Sequence, residues 1–126
     1  VHQFAFARNP HFTLVGDGEN YIDAMYSADA IKALMAVLLY PAQDGFRCID
    51  LGVGSRESVN QVVIRAAHAF GLEAQLHHDG STAEYIQFSI DPQPFATTYQ
   101  FKPVIPLEEG LQLLADHLVR EENILV

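Results

Sequence analysis

The chain has 126 residues, a hydrophobic fraction of 49%, a charged fraction of 18% and a formal net charge of −9. That is one domain's length with ample apolar content for a core, which excludes a disordered tail or a string of domains. The acidic balance, with seven scattered basic residues, excludes the positive footprint that nucleic acid or an anionic membrane surface requires.

Taken in chain order, "VHQFAFARNP" reads as the end of a helix stopped at Asn9-Pro10, and "HFTLV" as a strand running into the turn Gly16-Asp17-Gly18. "YIDAMYS" reads as a second short strand. Ser27 or Asp29 is the expected cap of the next helix, whose apolar residues Ile31, Leu34, Met35, Leu38 and Leu39 fall at helical spacing. "FRCIDLGVG" reads as a strand closing in a glycine loop. Ser58 then caps a helix carrying Val59, Val62, Val63, Ala66, Ala67 and Phe70 on one face, with Gly71 at its C-terminal end. "LEAQLHH" and "YIQFSI" read as strands around a "DGSTAE" loop, and "DPQPFATTYQ" as a short helix. The closing helix starts near Pro106 and buries Leu107, Leu111, Leu114 and Leu118. The order predicts an α/β or α+β domain, a small mixed sheet with three to four packed helices.

The candidate sites are sparse. Gly16-Asp17-Gly18 has Tyr21 where a dinucleotide fingerprint needs its third glycine, and Gly52-Val53-Gly54 has Glu57 there, so both read as turns rather than phosphate cradles. His77 and His78 are adjacent on a strand and point to opposite faces, so they do not converge on a metal. The lone Cys48 rules out an intrachain disulfide, fits a cytoplasmic setting, and is expected to be a buried, inert thiol. No paired catalytic residues are evident. A chain beginning at Val1 rather than Met is expected to have been processed or cut from something longer.

Three segments in order resemble the C-terminal half of the NAD(P)-dependent epimerase/dehydratases, the extended short-chain dehydrogenases that include UDP-galactose 4-epimerase. They are "FTLVGDGENYIDAMYSADAIKALMAVL", "FRCIDLGVGSRESVNQVVIRAAHAFG" and "SIDPQPFATTYQFKPVIPLEEGLQLLADHL". The ending "KPVIPLEEGL" is the most specific of the matching motifs. In that family the other half holds the cofactor fold and a Tyr-x-x-x-Lys dyad. Here the two lysines, Lys32 and Lys102, have Ala28 and Thr98 four residues before them.

The resemblance therefore implies a single substrate-binding domain over residues 1–126, without catalytic residues or a bound cofactor of its own. NAD or NADP would belong to a missing Rossmann half. It implies a nucleotide-sugar ligand contacted by Thr13, Leu14 and Val15 of the strand before the turn and by Tyr21 and Ile22 of the aromatic strand. Ile22 stands where many family members carry a diphosphate-binding Arg, and Thr82 stands nearest a second such position. Losing both should cost about 1.5–3 kcal/mol each, with Arg56 placed to compensate. The other readings are a non-catalytic ligand-binding or interaction module, and the substrate domain of a hydroxysteroid-dehydrogenase-like enzyme. The strand "FRCIDL" joins the cofactor sheet in the family, so an unpaired edge and a dimer or larger species are expected.

Overall fold

The computed structural model describes residues 11–41, 45–81 and 88–124. The elements run β1 (His11–Leu14), β2 (Tyr21–Ile22), α1 (Ser27–Leu39), β3 (Glu57–Ser58), α2 (Val59–Ala69), β4 (Gln75–His78), α3 (Gln93–Tyr99) and α4 (Leu107–Ile124). β1 pairs with β4 in parallel, His11 opposite Gln75 and Leu14 opposite His78, while β2 and β3 pair antiparallel. A parallel pair needs a long crossover, and α2 lies within it. The outcome is a small α/β fold with parallel and antiparallel pairing and, among the described residues, four helices.

α2 forms where its sequence calls for it. The Ser58 hydroxyl accepts the Gln61 N–H, and the Gln61 side chain returns a bond to the Ser58 N–H, a reciprocal cap of two otherwise orphaned donors. Gly71, at φ +68°, closes the helix by donating to the His68 carbonyl. The inward face of α2 presents Ala66 and Ala67 to Leu111 of α4, and Phe12, Val63, Phe70, Leu72 and Leu107 pack around them. Small residues let the two helices approach closely. Gly110 does the same at the start of α4, where a Cβ would lie 3.1 Å from the Tyr26 ring. A second, aromatic cluster caps α3: Phe95 is buried, its ring 4.8 Å from Tyr99, and Tyr40 meets Tyr99 edge-on at 5.2 Å.

α1 departs from its expected packing. Neither Ser27 nor Asp29 caps it; Tyr26 precedes the helix and supplies its carbonyl to the Asp29 and Ala30 N–H groups. Asp29 turns inward instead, fully buried, and its Oδ2 accepts the Val104 and Ile105 N–H groups at 2.8 Å each. Its Oδ1 has no hydrogen-bond partner among the described residues. The side that faces the fold uses Asp29 and Ala33. The leucine stripe faces out: Ile31 is 61% exposed, Leu34 60%, Leu38 77% and Leu39 76%. Helical periodicity identifies the stripe but does not say which side of the helix the rest of this chain covers.

Other expectations change for related reasons. "FRCIDL" (46–51) forms no strand, Phe46 is 95% exposed, and Cys48 is exposed rather than buried. With no strand there, the unpaired edge from which self-association was expected is not formed. Strand formation needs a neighbour to satisfy the backbone, and none of the described residues supplies one. Residues 88–90 of "YIQFSI" are likewise not a strand; its first three residues and the expected opening helix lie outside the described residues. Among the described residues, no helix is long and apolar enough to cross a membrane.

Candidate substrate-binding face

Two turns and one ladder organise the face on which the expected contact residues fall. β1 delivers Thr13 and Leu14, and Val15 follows at 71% exposure. The chain then turns through Gly16 and Gly18, both at positive φ (+70° and +71°), a region that disfavours side chains. This turn is fastened from two sides. The Gly16 N–H donates to Asp79 Oδ1 at 2.9 Å and to Ser81 Oγ at 3.2 Å. Asn60 of α2 donates its backbone N–H to the Gly18 carbonyl and its side-chain amide to the Asp17 carbonyl, while its Oδ1 contacts His78 Nε2 at 2.9 Å. Ser81 and Gly16 hydrogen bonds outweigh the small effect of burial and hold the Asp79 carboxyl below the ordinary carboxylate range, with the Ser81 hydroxyl the largest contributor. The Gly16 amide is thus engaged internally, so the turn is a structural device.

The second turn, Gly52 to Ser55, is an anion nest whose anion is the protein's own. The backbone N–H groups of Val53, Gly54 and Ser55 all donate to the Asp23 carboxylate at 3.1–3.3 Å, and the Ile90 N–H joins them at 2.9 Å. Burial pushes the Asp23 carboxyl up, but the Ile90, Gly54, Val53 and Ser55 amides together outweigh it and hold the group below its usual range. Gly52 has no room for a side chain: an added Cβ would collide with Ile90 and the Asp23 carboxylate. Such a loop has its amides aligned for a phosphate, yet Asp23 already occupies them. Neither glycine turn is free to cradle a cofactor.

The antiparallel ladder places Tyr21 opposite Ser58 and Ile22 opposite Glu57. Tyr21, Ile22 and Arg56 are thereby gathered at one short ladder, Arg56 being the residue just before β3. Arg56 is exposed, with no ion pair among the described residues, whereas Glu57 is tied to Arg65 at 3.3 Å. Thr13 and Leu14 lie on the separate β1–β4 pair, with Val15 just beyond it, and the Asn60 clamp joins the turn that follows to α2. Thr82 lies outside the described residues. A groove of about 540 Å³ between the start of α1, α2 and α4 is lined by Met25, Tyr26, Val62, Leu107, Leu111 and His117, among others. None of the expected contact residues lines it. His77 and His78 are exposed, and no group of three or more metal-ligating side chains occurs among the described residues.

Asp23 is the residue that reasoning from candidate chemistries passed over. Its signal was a carboxylate flanked by Ile22 and Ala24 in a strand-like run, the composition of a buried acceptor rather than a solvated acid.

The fold as a whole is shared with one part of larger solved enzymes. No family model matches the chain and no curated protein matches it. Solved structures do. The chain is similar to UDP-glucose 4-epimerase from Bifidobacterium longum, solved with NAD+ and UDP, at 16% identity and a TM-score of 0.79, over 97% of this chain and 38% of that one. UDP-glucuronic acid 4-epimerase from Bacillus cereus, solved with UDP-glucuronic acid and NAD, matches at 23% identity and 0.74, over 86% and 35%. dTDP-glucose 4,6-dehydratase from Bacillus anthracis, solved with NAD, matches at 19% and 0.71, over 90% and 36%. The chain thus spans little more than a third of the length of the structures it resembles.

Proposed function

We propose that this chain is the substrate-binding domain of an NAD(P)-dependent sugar-nucleotide epimerase/dehydratase-like oxidoreductase, and that hydride chemistry belongs to a separate cofactor half. The observation that carries the reading is the match of most of the chain to about one third of enzymes whose structures hold NAD with UDP-glucuronic acid or with UDP. The reading assigns Thr13–Val15 to the nucleotide base, Tyr21 and Ile22 to the sugar-diphosphate side, and Arg56 to the diphosphate. The domain would close over the substrate and exclude water, leaving proton and hydride movement to the other half.

One feature favours a second reading. Ile22 is apolar and 37% exposed at the ladder, where a charged diphosphate would want a cation. A substrate domain for less charged alcohols, of hydroxysteroid-dehydrogenase type, accommodates that residue. Calorimetric titration of the 126-residue chain with UDP-glucose, UDP-glucuronic acid and an uncharged steroid alcohol separates the two. Saturable binding of a nucleotide sugar at submillimolar concentration supports the first. Binding of the steroid alone supports the second, and binding of neither points to a non-catalytic interaction module.

A further inference from the structure

Asn60 reaches out of its own helix with four hydrogen bonds. It is the second residue of α2, which Ser58 and Gln61 already cap reciprocally, so its side chain is not needed there. Its backbone N–H donates to the Gly18 carbonyl at 3.1 Å. Its side-chain amide donates to the Asp17 carbonyl at 2.9 Å and to Glu19 Oε1 at 2.7 Å. Its side-chain oxygen meets His78 Nε2 at 2.9 Å. One residue thus grips Asp17, Gly18 and Glu19 in the turn after β1, and also His78, the last residue of β4.

The chemistry of these partners fixes both the amide and the imidazole. A carbonyl and a carboxylate only accept, so both amide hydrogens are committed to Asp17 and Glu19, and the oxygen is left for His78. That oxygen also only accepts. His78 Nε2 therefore carries a hydrogen, and a neutral His78 is the Nε2–H tautomer. Gly18 belongs to the same device, because a Cβ there would collide with Asn60 Oδ1. On the other side, the Leu14 carbonyl accepts the Asp79 N–H at 3.0 Å and the Gly16 N–H donates to the Asp79 carboxylate. The end of β1 is held by β4 directly, and the turn beyond it by Asn60.

We propose that Asn60 is a positioning residue for ligand binding: it fixes the end of the Thr13–Val15 segment against which the nucleotide base would lie. The inference rests on the substrate-domain reading above. Val15 leads directly into the clamped turn, so releasing residues 17–19 from α2 frees one end of that segment. Asn60 acts on the segment through the turn, without touching the ligand.

The test uses the 126-residue chain, isotopically labelled on nitrogen, with Asn60→Asp and Asn60→Leu. Imidazole nitrogen shifts at about pH 8.5, above the range in which histidines titrate, read the His78 tautomer directly. Titration with uridine and with UDP-glucose reads binding, and the amide spectrum reads whether each variant is folded. The expected wild-type His78 is Nε2–H. Asn60→Asp should keep that tautomer, because a carboxylate also accepts, yet lose its grip on the turn; Asn60→Leu should lose both. Both variants should weaken uridine and UDP-glucose by the same factor, about tenfold, the equivalent of one or two hydrogen bonds. Arg56→Ala should weaken UDP-glucose alone, since uridine has no diphosphate. An Nδ1–H His78 in the wild type overturns the clamp without recourse to any variant. Folded variants that bind uridine as the wild type does overturn the positioning role and leave the substrate-domain reading standing. A wild-type chain that binds neither ligand removes that reading, and the inference falls with it.

Discussion

Replacing Asp23 tests whether its carboxylate holds the Gly52–Ser55 turn and the Ile90 segment together. The Asp23→Ala substitution strips the acceptor from four backbone N–H groups, those of Val53, Gly54, Ser55 and Ile90. Hydrogen bonds to a charged group contribute about 1.5–3 kcal/mol each, but these share one carboxylate and water can reach the Gly54 side, so they do not add. Counting the two shorter part-buried bonds, from Val53 at 3.2 Å and Ile90 at 2.9 Å, gives a loss of about 3–6 kcal/mol. Asp23→Asn keeps one oxygen, for Val53 and Ser55, and turns an amide N–H₂ towards the Gly54 and Ile90 donors. About half the loss, roughly 2 kcal/mol, is expected. Urea unfolding followed by circular dichroism at neutral pH measures both. The sign with pH follows from the depressed folded pKa. The carboxylate's contribution is present above its ordinary value of 3.8 and is lost as pH falls through the lower folded value, so the gap between wild type and Asp23→Asn should close only below about pH 4. An Asn variant within about 0.5 kcal/mol of wild type, or an Ala variant no worse than Asn, refutes the reasoning.

Gly52→Ala forces a methyl group against Ile90 and the Asp23 carboxylate and should lower stability by about 1–3 kcal/mol, read as a drop in thermal midpoint. Ser58→Ala removes the reciprocal cap of α2 and should cost about 1 kcal/mol in urea; Ser58→Asp, which restores an acceptor, should recover most of it. If the ladder meets a diphosphate, Ile22→Arg should tighten UDP-sugar binding and Arg56→Ala weaken it, each by about tenfold in calorimetry. No change from either would remove the ladder from the binding face.

Much of the fold is legible where signals are local. The Ser58 cap, the Gly71 terminator, the inward face of α2 and the β4 strand each follow from a few neighbouring residues, and each forms as read. What depends on a distant partner is not legible in the same way. Asp29 looks like a helix cap, yet it is drawn inward by amides at Val104 and Ile105. "FRCIDL" has strand composition but no neighbour among the described residues, and the α1 stripe has the right period on the wrong side. Of the candidate face, the structural role of both glycine turns was readable from the missing third glycine. The role of Asp23 was not, because its four donors come from two other segments.

Three aspartates that bond to distant backbone amides have a consequence for how the chain is made. Asp79 binds Gly16 across 63 residues, Asp23 binds Ile90 across 67, and Asp29 binds Val104 across 75. Each bond fastens the first third of the chain to something synthesised much later, and β1 waits for β4 in the same way. On the ribosome, residues 11–41 therefore emerge long before the partners of these bonds. A cut between α1 and β3 would therefore place the two partners of every one of these clasps on different pieces.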